Sequence, residues 1–592
     1  MNTLTEVSRK ERRAVGFRPG PIWLALPGVL FLALFFIFPS FRIFLLSITG
    51  RDGTLSFAAF ARFFAPGVYS RVLENTFVIS LWTTLYCLLF GYPLACWLSG
   101  LSKRQQQILS LFVLLAFWSS TLVKNFTWLI LLGRGGFVEQ VMHTLGFNHV
   151  QFLFNRGIVI FAMVHTLLPL AVVTMLPVMN QIDRRLSMAA ATLGANRAQA
   201  FWQVFFTQSM RGVAAAGLLI FIGSLGFFIT PTFLGSPHEM MLGQLIIMQI
   251  NELQNWQLGS ALAVVLVVAA LLSCILYDLI FGLSSLAGSE NSTPPRLHNR
   301  ILRKLGRVIV ALLARLSSFL LHAYDVSLRR VLKINLLAIY SCLLIAVLLL
   351  PVLAVIPMSF TRASFLSFPP VGFSFRWFAV YFNSPLWIGA TLRSFGIGFV
   401  VATITTFLAA LAAYSITRAS SRLSGGIFLL FLLPMIVPAI VIAMALFYFC
   451  AQISLVATNT GIVLGHVVIA LPMVFVILLT TFRGHDWRLD NAAATLGANR
   501  WQVLLKVTLP SIKGGLAAAF IIGFLTSFEE LTVALFIGGG MKTTMPKQMW
   551  DDILLQISPT LAAASTVVLL VVVALFGVLQ LVRPRNMHSQ NG

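Results

Sequence analysis

Apolar stretches long enough to cross a bilayer, which takes about 20 residues, alternate with short polar and basic intervals along this chain. Six lie before a long polar interval at 284–333, at 22–46, 72–99, 107–133, 157–179, 213–235 and 259–283. Six follow it, at 334–358, 389–416, 426–451, 459–481, 515–538 and 559–582. The pattern predicts an all-α, polytopic membrane protein with twelve spans in two modules of six helices.

The polar intervals also set the expected domain boundaries. We expect a tail at 1–20, a first module at 21–283, a linker at 284–333, a second module at 334–583 and a tail at 584–592. The helical core of each module is expected at about 71–282 and about 388–581.

Composition and charge agree with a membrane protein. Hydrophobic residues make up 58% of the chain and charged residues 10%, with a mean hydropathy of +0.92, which excludes a soluble domain. The net charge of +24 comes from Lys and Arg in alternate intervals, whereas 236–258 contains neither. This distribution follows the positive-inside rule. It predicts cytoplasmic termini in a bacterial inner membrane and no nucleic-acid partner.

The most informative motif is a repeat. The nine residues Ala-Ala-Ala-Thr-Leu-Gly-Ala-Asn-Arg occur at 189–197 and again at 492–500. Further identities keep the same offset and are found at Pro169 and Pro472, Gln199 and Gln502, Val204 and Val507, and Gly212 and Gly515. The repeat indicates two homologous modules, each with a short alanine-rich helix in a polar interval. The alternative is that such a segment is merely a good helix former.

The linker begins with Gly288-Ser289-Glu290-Asn291-Ser292-Thr293-Pro294-Pro295 and continues with many basic residues. Its stretch at 301–324 is apolar enough to suggest another span. One extra crossing would place the two repeats on opposite sides of the membrane. We therefore expect a basic amphipathic helix lying on the inner leaflet, attracted to anionic lipid.

With this repeat, the chain resembles the permease subunits of binding-protein-dependent ABC importers, the MetI-like superfamily. The resemblance implies a periplasmic solute-binding protein and a separate ATPase, in two copies, docking at two cytoplasmic loops. The docking residues it implies are Ala189, Ala190, Ala191 and Gly194, and Ala492, Ala493, Ala494 and Gly497. The alanines permit close approach to a groove, and glycine ends the helix.

Two features depart from the pattern of that family. The glutamate that usually precedes the alanines is Met188 in the first copy and Asn491 in the second, with Asp490 one residue early. Phe205-Phe206-Thr207-Gln208 stands where the Thr-Leu-Pro ending is usual, whereas the second copy retains Thr508-Leu509-Pro510. A missing carboxylate is expected to weaken one polar contact without abolishing docking.

Catalytic and metal chemistry are not indicated. No Gly-Lys dipeptide occurs, so the chain lacks a phosphate-binding loop. The His and Cys spacings predict no metal site. We expect no enzyme activity, catalytic residue or bound cofactor in this chain, with ATP and Mg²⁺ used by the partner ATPase.

Within these importers, the chain resembles the spermidine/putrescine type, with its two permeases fused. The first module carries an aromatic run from Phe117 to Trp128, with Lys124 where the family usually has Arg. The second carries Ser527-Phe528-Glu529-Glu530, where that family has Ser-Phe-Asp-Glu, and Ile557-Ser558-Pro559-Thr560. The resemblance implies polyamine transport.

Two adjacent carboxylates in a predicted span are the main candidates for solute contact. Burying each costs about 2.5–3.5 kcal/mol even on a lenient scale, and neighbouring helical residues point about 100° apart. We expect one of Glu529 and Glu530 to line the path and the other to pair within the bundle, unless both only stabilise the bundle. Glu74, Trp118, Lys124 and Trp128 are candidates for the rest of a cation path, although tryptophans more often pack or sit at the interface.

Two alternatives stay open. An importer for another small solute, such as ferric iron, an opine or an organophosphonate, would use Lys124 and Arg134 for anionic cargo. A secondary transporter with inverted repeats belongs to a different class. Six spans per module make the repeats parallel and put both loops on one side, which a secondary transporter does not need.

Overall fold

The computed structural model describes residues 21–50, 52–147, 151–281, 315, 318, 335–419, 423–539 and 542–582. The predicted tails at 1–20 and 584–592, and all but two residues of the predicted linker helix, lie outside the described residues. In the described ranges the chain is helical, with only two isolated β-bridges, Thr49 with Leu55 and Thr361 with Phe373. The predicted all-α class is confirmed.

The helices occur in the same order in both modules, except that one short helix of the first module, Phe137–Thr144, has no counterpart in the second. The first module contains α1 Ile22–Ser47, α2 Ala58–Phe64, α3 Val68–Ser99, α4 Lys103–Trp118, α5 Thr121–Leu132, α6 Phe137–Thr144, α7 Arg156–Asn180, α8 Arg184–Thr192, α9 Arg197–Leu225, α10 Ile229–Leu234, α11 Leu242–Ile247 and α12 Trp256–Phe281. The second contains α13 Leu336–Ser359, α14 Arg376–Asn383, α15 Pro385–Arg418, α16 Leu423–Ile436, α17 Ala439–Gln452, α18 Asn459–Arg483, α19 Trp487–Thr495, α20 Arg500–Phe528, α21 Thr532–Ile537, α22 Met545–Leu555 and α23 Pro559–Val582.

Ten of these helices are long and apolar enough to cross a membrane alone, and two bent pairs bring the number to twelve. The structure departs here from the continuous spans predicted at 107–133 and 426–451. The first pair bends by 86° and the second by 98°. The second break has a local cause, since Pro438 disfavours helical geometry in the residue before it. The first break lies at Ser119 and Ser120, which are extended, with ψ of 138° and 131°.

The predicted spans at 213–235 and 515–538 are also wrong in their bounds. The helices α9 and α20 begin some 15 residues earlier, inside the polar interval, and end at Leu225 and Phe528. A short separate helix follows each of them. Hydropathy underestimates α9 and α20 because their first turns are polar and basic.

Contacts at the helix ends show that each bent pair crosses once. In the first module, Gln106 Nε2 donates to Asn180 Oδ1 at 2.9 Å, so the start of α4 and the end of α7 share a face. In the second, the Arg418 guanidinium lies 4.9 Å from the Trp487 ring, which places the end of α15 beside the start of α19. Since α7 and α18 each cross once, the bent pair before each must cross once too.

The two copies of the repeat lie on the same face of the molecule. Ser415 Oγ donates to the Ile22 carbonyl at 3.2 Å, so α1 starts on the face where α15 ends. After α1 and α3 the chain is back on that face at Ser99, whose carbonyl accepts a hydrogen bond from Arg184 of α8. Because α7 ends on this face and α9 and α12 each cross once more, α12 ends and α13 begins on the same face. This agrees with the predicted position of the linker, on the side of the repeats. That this face is cytoplasmic stays a prediction from the basic residues.

The first helix of each module packs on the other module. In α1, a Cβ at Gly28 would collide with the Phe431 ring of the second module, and Phe38 lies 5.6 Å from Phe449. In α13, the Tyr340 hydroxyl donates to the Phe90 carbonyl of the first module at 2.9 Å. The main buried core accordingly contains side chains from both modules.

The repeated glycines allow a close helix crossing in each module. A Cβ at Gly515 would lie 2.8 Å from Thr481 Cβ, and a Cβ at Gly212 would lie 3.0 Å from Val178 Cβ. These two contacts keep the same offset as the repeat, so they are the same crossing in both modules.

We predict that Gly515→Ala lowers the free energy of unfolding by about 1–3 kcal/mol, because the Thr481 Cβ is fixed to the backbone and a shift of α18 must make room. Thermal unfolding in detergent measures this change. The matched control is Gly396→Ala in α15, where no atom lies within 4 Å of the added Cβ and alanine is the better helix former. Equal melting temperatures for the two variants would contradict the prediction.

Candidate functional site

The two copies of the repeat form the same local structure, and we call α8 and α19 the repeat helices. Each starts at an aspartate, Asp183 or Asp486, whose side chain accepts a backbone hydrogen bond as an N-cap. Each ends before a glycine in the left-handed region, with φ of +91° at Gly194 and +88° at Gly497. The backbone N–H of the residue after each glycine donates back to an alanine carbonyl, at 3.0 and 3.1 Å. This is the glycine-terminated end predicted from the sequence.

Exposure is matched between the repeat helices as well. In each, the first and third alanines are exposed (Ala189 and Ala191, Ala492 and Ala494) and the middle one is half-buried (Ala190, Ala493). The leucine before each glycine is almost fully exposed, 88% at Leu193 and 89% at Leu496. Small side chains beside a projecting leucine make a surface suited to a groove in a partner.

The positions where the family usually has glutamate are exposed at Met188 and Asn491. Asp490, by contrast, is 7% exposed. Its carboxylate accepts a hydrogen bond from Thr508 and contacts His485. Asp490 therefore faces its own module and does not supply a carboxylate to the exposed side.

A second group of polar residues lies where the two modules meet, and we call it the junction cluster: Lys124, its sequence neighbour Asn125, Trp128, His165 and Glu529. Lys124, on α5, is 1% exposed. Its ammonium is close enough to the Glu529 carboxylate, at the end of α20, for electrostatic interaction. The same ammonium lies within electrostatic range of the His165 ring on α7. The cluster thus brings a lysine of the first module into electrostatic range of a glutamate of the second.

Several polar atoms of the junction cluster have no hydrogen-bond partner among the described residues. They are Asn125 Oδ1, Trp128 Nε1, His165 Nδ1 and Glu529 Oε1. The Trp128 and His165 rings meet edge to face at 5.5 Å, and His165 Nε2 lies 3.2 Å from the Val347 carbonyl of α13. Leaving a buried polar group unpaired costs about 1–3 kcal/mol. A cluster of such groups is unusual in a packed bundle and makes this junction a candidate site.

Glu530 differs from its neighbour. Its two oxygens accept from the backbone N–H groups of Thr532 and Val533, at 2.8 and 2.9 Å, and so cap α21. His466 lies 3.3 Å away and is held by Ser527 at 2.8 Å. Glu530 is thus fully engaged within its module, while Glu529 lies at the junction. That Glu529 lines a solute path stays a prediction from the sequence.

The other candidate residues lie outside the cluster or beside it. Glu74 on α3 and Arg134 after α5 are exposed. Trp118 is 7% exposed and ends α4 at the bend, 5.1 Å from Phe117 edge to face. Sequence reasoning missed Asn125, His165 and His466. The signal that could have identified them is a polar residue within an apolar span, because placing such a residue in a membrane carries a free-energy cost.

Metal ligation finds no support in the part of the chain that the structure describes. No group of three or more His, Cys, Asp or Glu side chains there is placed to hold a metal ion. All five cysteines are unpaired thiols.

Known proteins are similar to this chain in sequence. Residues 405–588 match the family described as binding-protein-dependent transport system inner membrane component. The spermidine/putrescine permease protein PotB of Haemophilus influenzae is 28% identical over 254 residues, covering 42% of this chain and 88% of that protein. PotC of the same organism is 27% identical over 244 residues, covering 41% and 94%.

One relative spans most of the chain. A putative ferric transport system permease protein, FbpB 1 of Haemophilus influenzae, is 21% identical over 520 residues, covering 86% of this chain and 76% of that protein. A family match in the second module, a repeat in the first and a relative covering both agree with one another. Residues 405–588 therefore carry the binding-protein-dependent transport domain, and the chain as a whole, with two homologous membrane modules in a single polypeptide, is similar to permease components of such transport systems.

Proposed function

We propose that this chain is the bacterial inner-membrane permease of an ATP-driven importer that passes a polyamine from a periplasmic binding protein to the cytoplasm. The observation that carries the proposal is the Glu529 carboxylate, held at the junction of the modules with one oxygen unpaired. The similarity to PotB and PotC supports a polyamine as the solute.

The junction cluster offers a cation several favourable contacts. Glu529 and Asn125 provide acceptor oxygens for an ammonium group, and the Trp128 ring provides a face for cation–π attraction. In the absence of solute, Lys124 balances the charge of Glu529, which limits the penalty of burying either one alone. As the modules move apart, an ammonium group of the solute replaces Lys124 as the charge partner of Glu529.

The energy for that movement comes from a separate ATPase, and the repeat helices are where we place its docking. Their matched exposed faces, on one side of the molecule, fit two copies of one partner. Leu193 and Leu496 are the projecting apolar contacts. ATP and Mg²⁺ belong to that partner, and this chain supplies the path.

A second candidate rests on Lys124. A buried ammonium in the same cluster suits an anionic solute or a chelated metal, and the similarity to FbpB 1 supports a ferric cargo. Such a solute pairs with Lys124, and the negative charge of Glu529 repels it. The two candidates therefore predict opposite effects when Glu529 is neutralised.

For a polyamine, Glu529→Gln is expected to slow uptake at least about tenfold, since the variant loses the attraction to the ammonium and leaves Lys124 to repel it. Uptake of labelled putrescine and spermidine into cells with equal permease levels measures this. Binding of solute to the soluble binding protein should be unchanged, because it takes place on another molecule.

Glu530→Gln is the matched control, because it carries the same change one residue away. It should reduce the amount of folded permease, since it weakens the cap of α21, without a specific loss of polyamine transport per molecule. Normal polyamine uptake by Glu529→Gln, or faster uptake of a ferric or anionic solute, would favour the second candidate.

Docking at the repeat helices is tested at their terminal glycines. Replacing both Gly194 and Gly497 by Val should abolish solute-stimulated ATP hydrolysis in proteoliposomes while the permease still inserts. A β-branched residue resists positive φ at a cost of about 1–3 kcal/mol, so the projecting leucines are displaced. Thr192→Val with Thr495→Val places the same side chain within the repeat helices and should retain stimulation. Wild-type stimulation in the double glycine variant would refute docking at these helices.

A further inference from the structure

The second repeat helix is fixed to its module by a buried carboxylate. Thr508 of α20 donates to Asp490 Oδ1, and His485, just after α18, contacts Oδ2. His485 is 9% exposed and Thr508 is 3% exposed. One side chain of α19 therefore ties that helix to the spans before and after it.

Aromatic contacts reinforce this attachment. The Trp487 ring, at the start of α19, meets His485 edge to face at 4.7 Å and Tyr414 at 5.8 Å. The Arg418 guanidinium lies 4.9 Å from the same ring. The second repeat helix is thus held by three different spans, α15, α18 and α20.

The first repeat helix has none of these polar partners. At the equivalent positions, 303 residues earlier, His485, Asp490 and Thr508 are replaced by Ile182, Ser187 and Phe205. Arg184 stands where the second copy has Trp487, and it donates to the Ser99 carbonyl. On the neighbouring spans α3 and α9, the Tyr92 and Phe206 rings pack with their centres 5.5 Å apart, and the Tyr92 and Ser209 hydroxyls share a hydrogen bond at 2.9 Å.

These two attachments differ in chemistry. Hydrogen bonds to a buried carboxylate are directional and strong, whereas the bond from Arg184 to the Ser99 carbonyl is exposed. Each repeat helix is followed by a stretch of wide π-type helix, Ala200–Phe206 in the first copy and Leu504–Thr508 in the second. Such stretches are frequent at functional sites. Thr508 is the last residue of its wide stretch, so its bond to Asp490 ties that stretch directly to α19.

We propose that Asp490 is a positioning residue that makes the second repeat helix move as one body with the second module, while the first repeat helix adjusts on its module. The proposal rests on ATPase docking at both repeat helices. It makes the two docking points unequal, so that movement of the ATPase is transmitted mainly through the second module.

The test uses the full chain reconstituted with its ATPase and binding protein in proteoliposomes. Asp490→Ser gives the second copy the residue of the first. The ATPase should still co-purify, because the exposed face of α19 is unchanged, but solute uptake per ATP hydrolysed should fall at least about fivefold. Ser187→Ala, the matched change in α8, should leave this ratio unchanged. An unchanged ratio in Asp490→Ser overturns the proposal.

Hydrogen exchange gives a readout separate from activity. In the permease alone, backbone amides of α19 should exchange about tenfold more slowly than those of α8, and Asp490→Ser should remove the difference. Equal exchange in the wild type overturns the proposal. If the wild type binds no ATPase, the docking proposal has failed, and exchange alone decides whether the anchor exists.

Thr508 provides the variant for the case in which Asp490→Ser does not accumulate. Thr508→Val removes the hydroxyl at nearly constant shape, and Thr508→Ser keeps it. The valine variant should lose coupling while the serine variant keeps it. Equal coupling in the two variants, or failure of both to fold, shows that the network only stabilises the fold and overturns the proposal.

Discussion

The interior of a bilayer offers no water to an unpaired backbone or polar group, and every interruption of a span must find its partners inside the protein. The breaks in this fold obey that constraint. Ser119 Oγ at the first bend bonds back to the Ala116 carbonyl at 2.8 Å. Where α20 stops, Glu530 accepts from the first N–H groups of α21. These interruptions are tolerated because they face other helices, and they bring polar side chains to the junction of the modules.

The two modules share a plan but differ wherever polar chemistry is concentrated. The repeat helices, their aspartate caps and their terminal glycines are alike, as are the close crossings at Gly212 and Gly515. The junction cluster is not duplicated, since the first module supplies its cation and the second its carboxylate. A pseudo-symmetric frame thus carries an asymmetric polar cluster.

Much of this frame could be predicted from the sequence, because it depends on local properties. The lengths of the apolar stretches predicted the number of spans. The nine-residue repeat predicted both repeat helices and the glycines that end them. The bend at Ser119 and Ser120 was missed because two serines carry no strong breaking signal. The inward orientation of Asp490 depends on the rotation of one short helix, and the meeting of Lys124 with Glu529 depends on how the modules pack. Neither is encoded in a local pattern.

Because the first helix of each module packs on the other module, the order of synthesis determines when each helix can reach its final neighbours. Ile22, at the start of α1, has its hydrogen-bond partner 393 residues later in the chain. At about 5–20 residues per second, synthesis of that interval takes roughly 20–80 s. During that time α1 lies in the membrane without the Phe431 and Phe449 rings that later cover it. Because of this order of synthesis, α1 is the first helix made but one of the last to reach its final neighbours. The packing of the first module is complete only after the second module has been made.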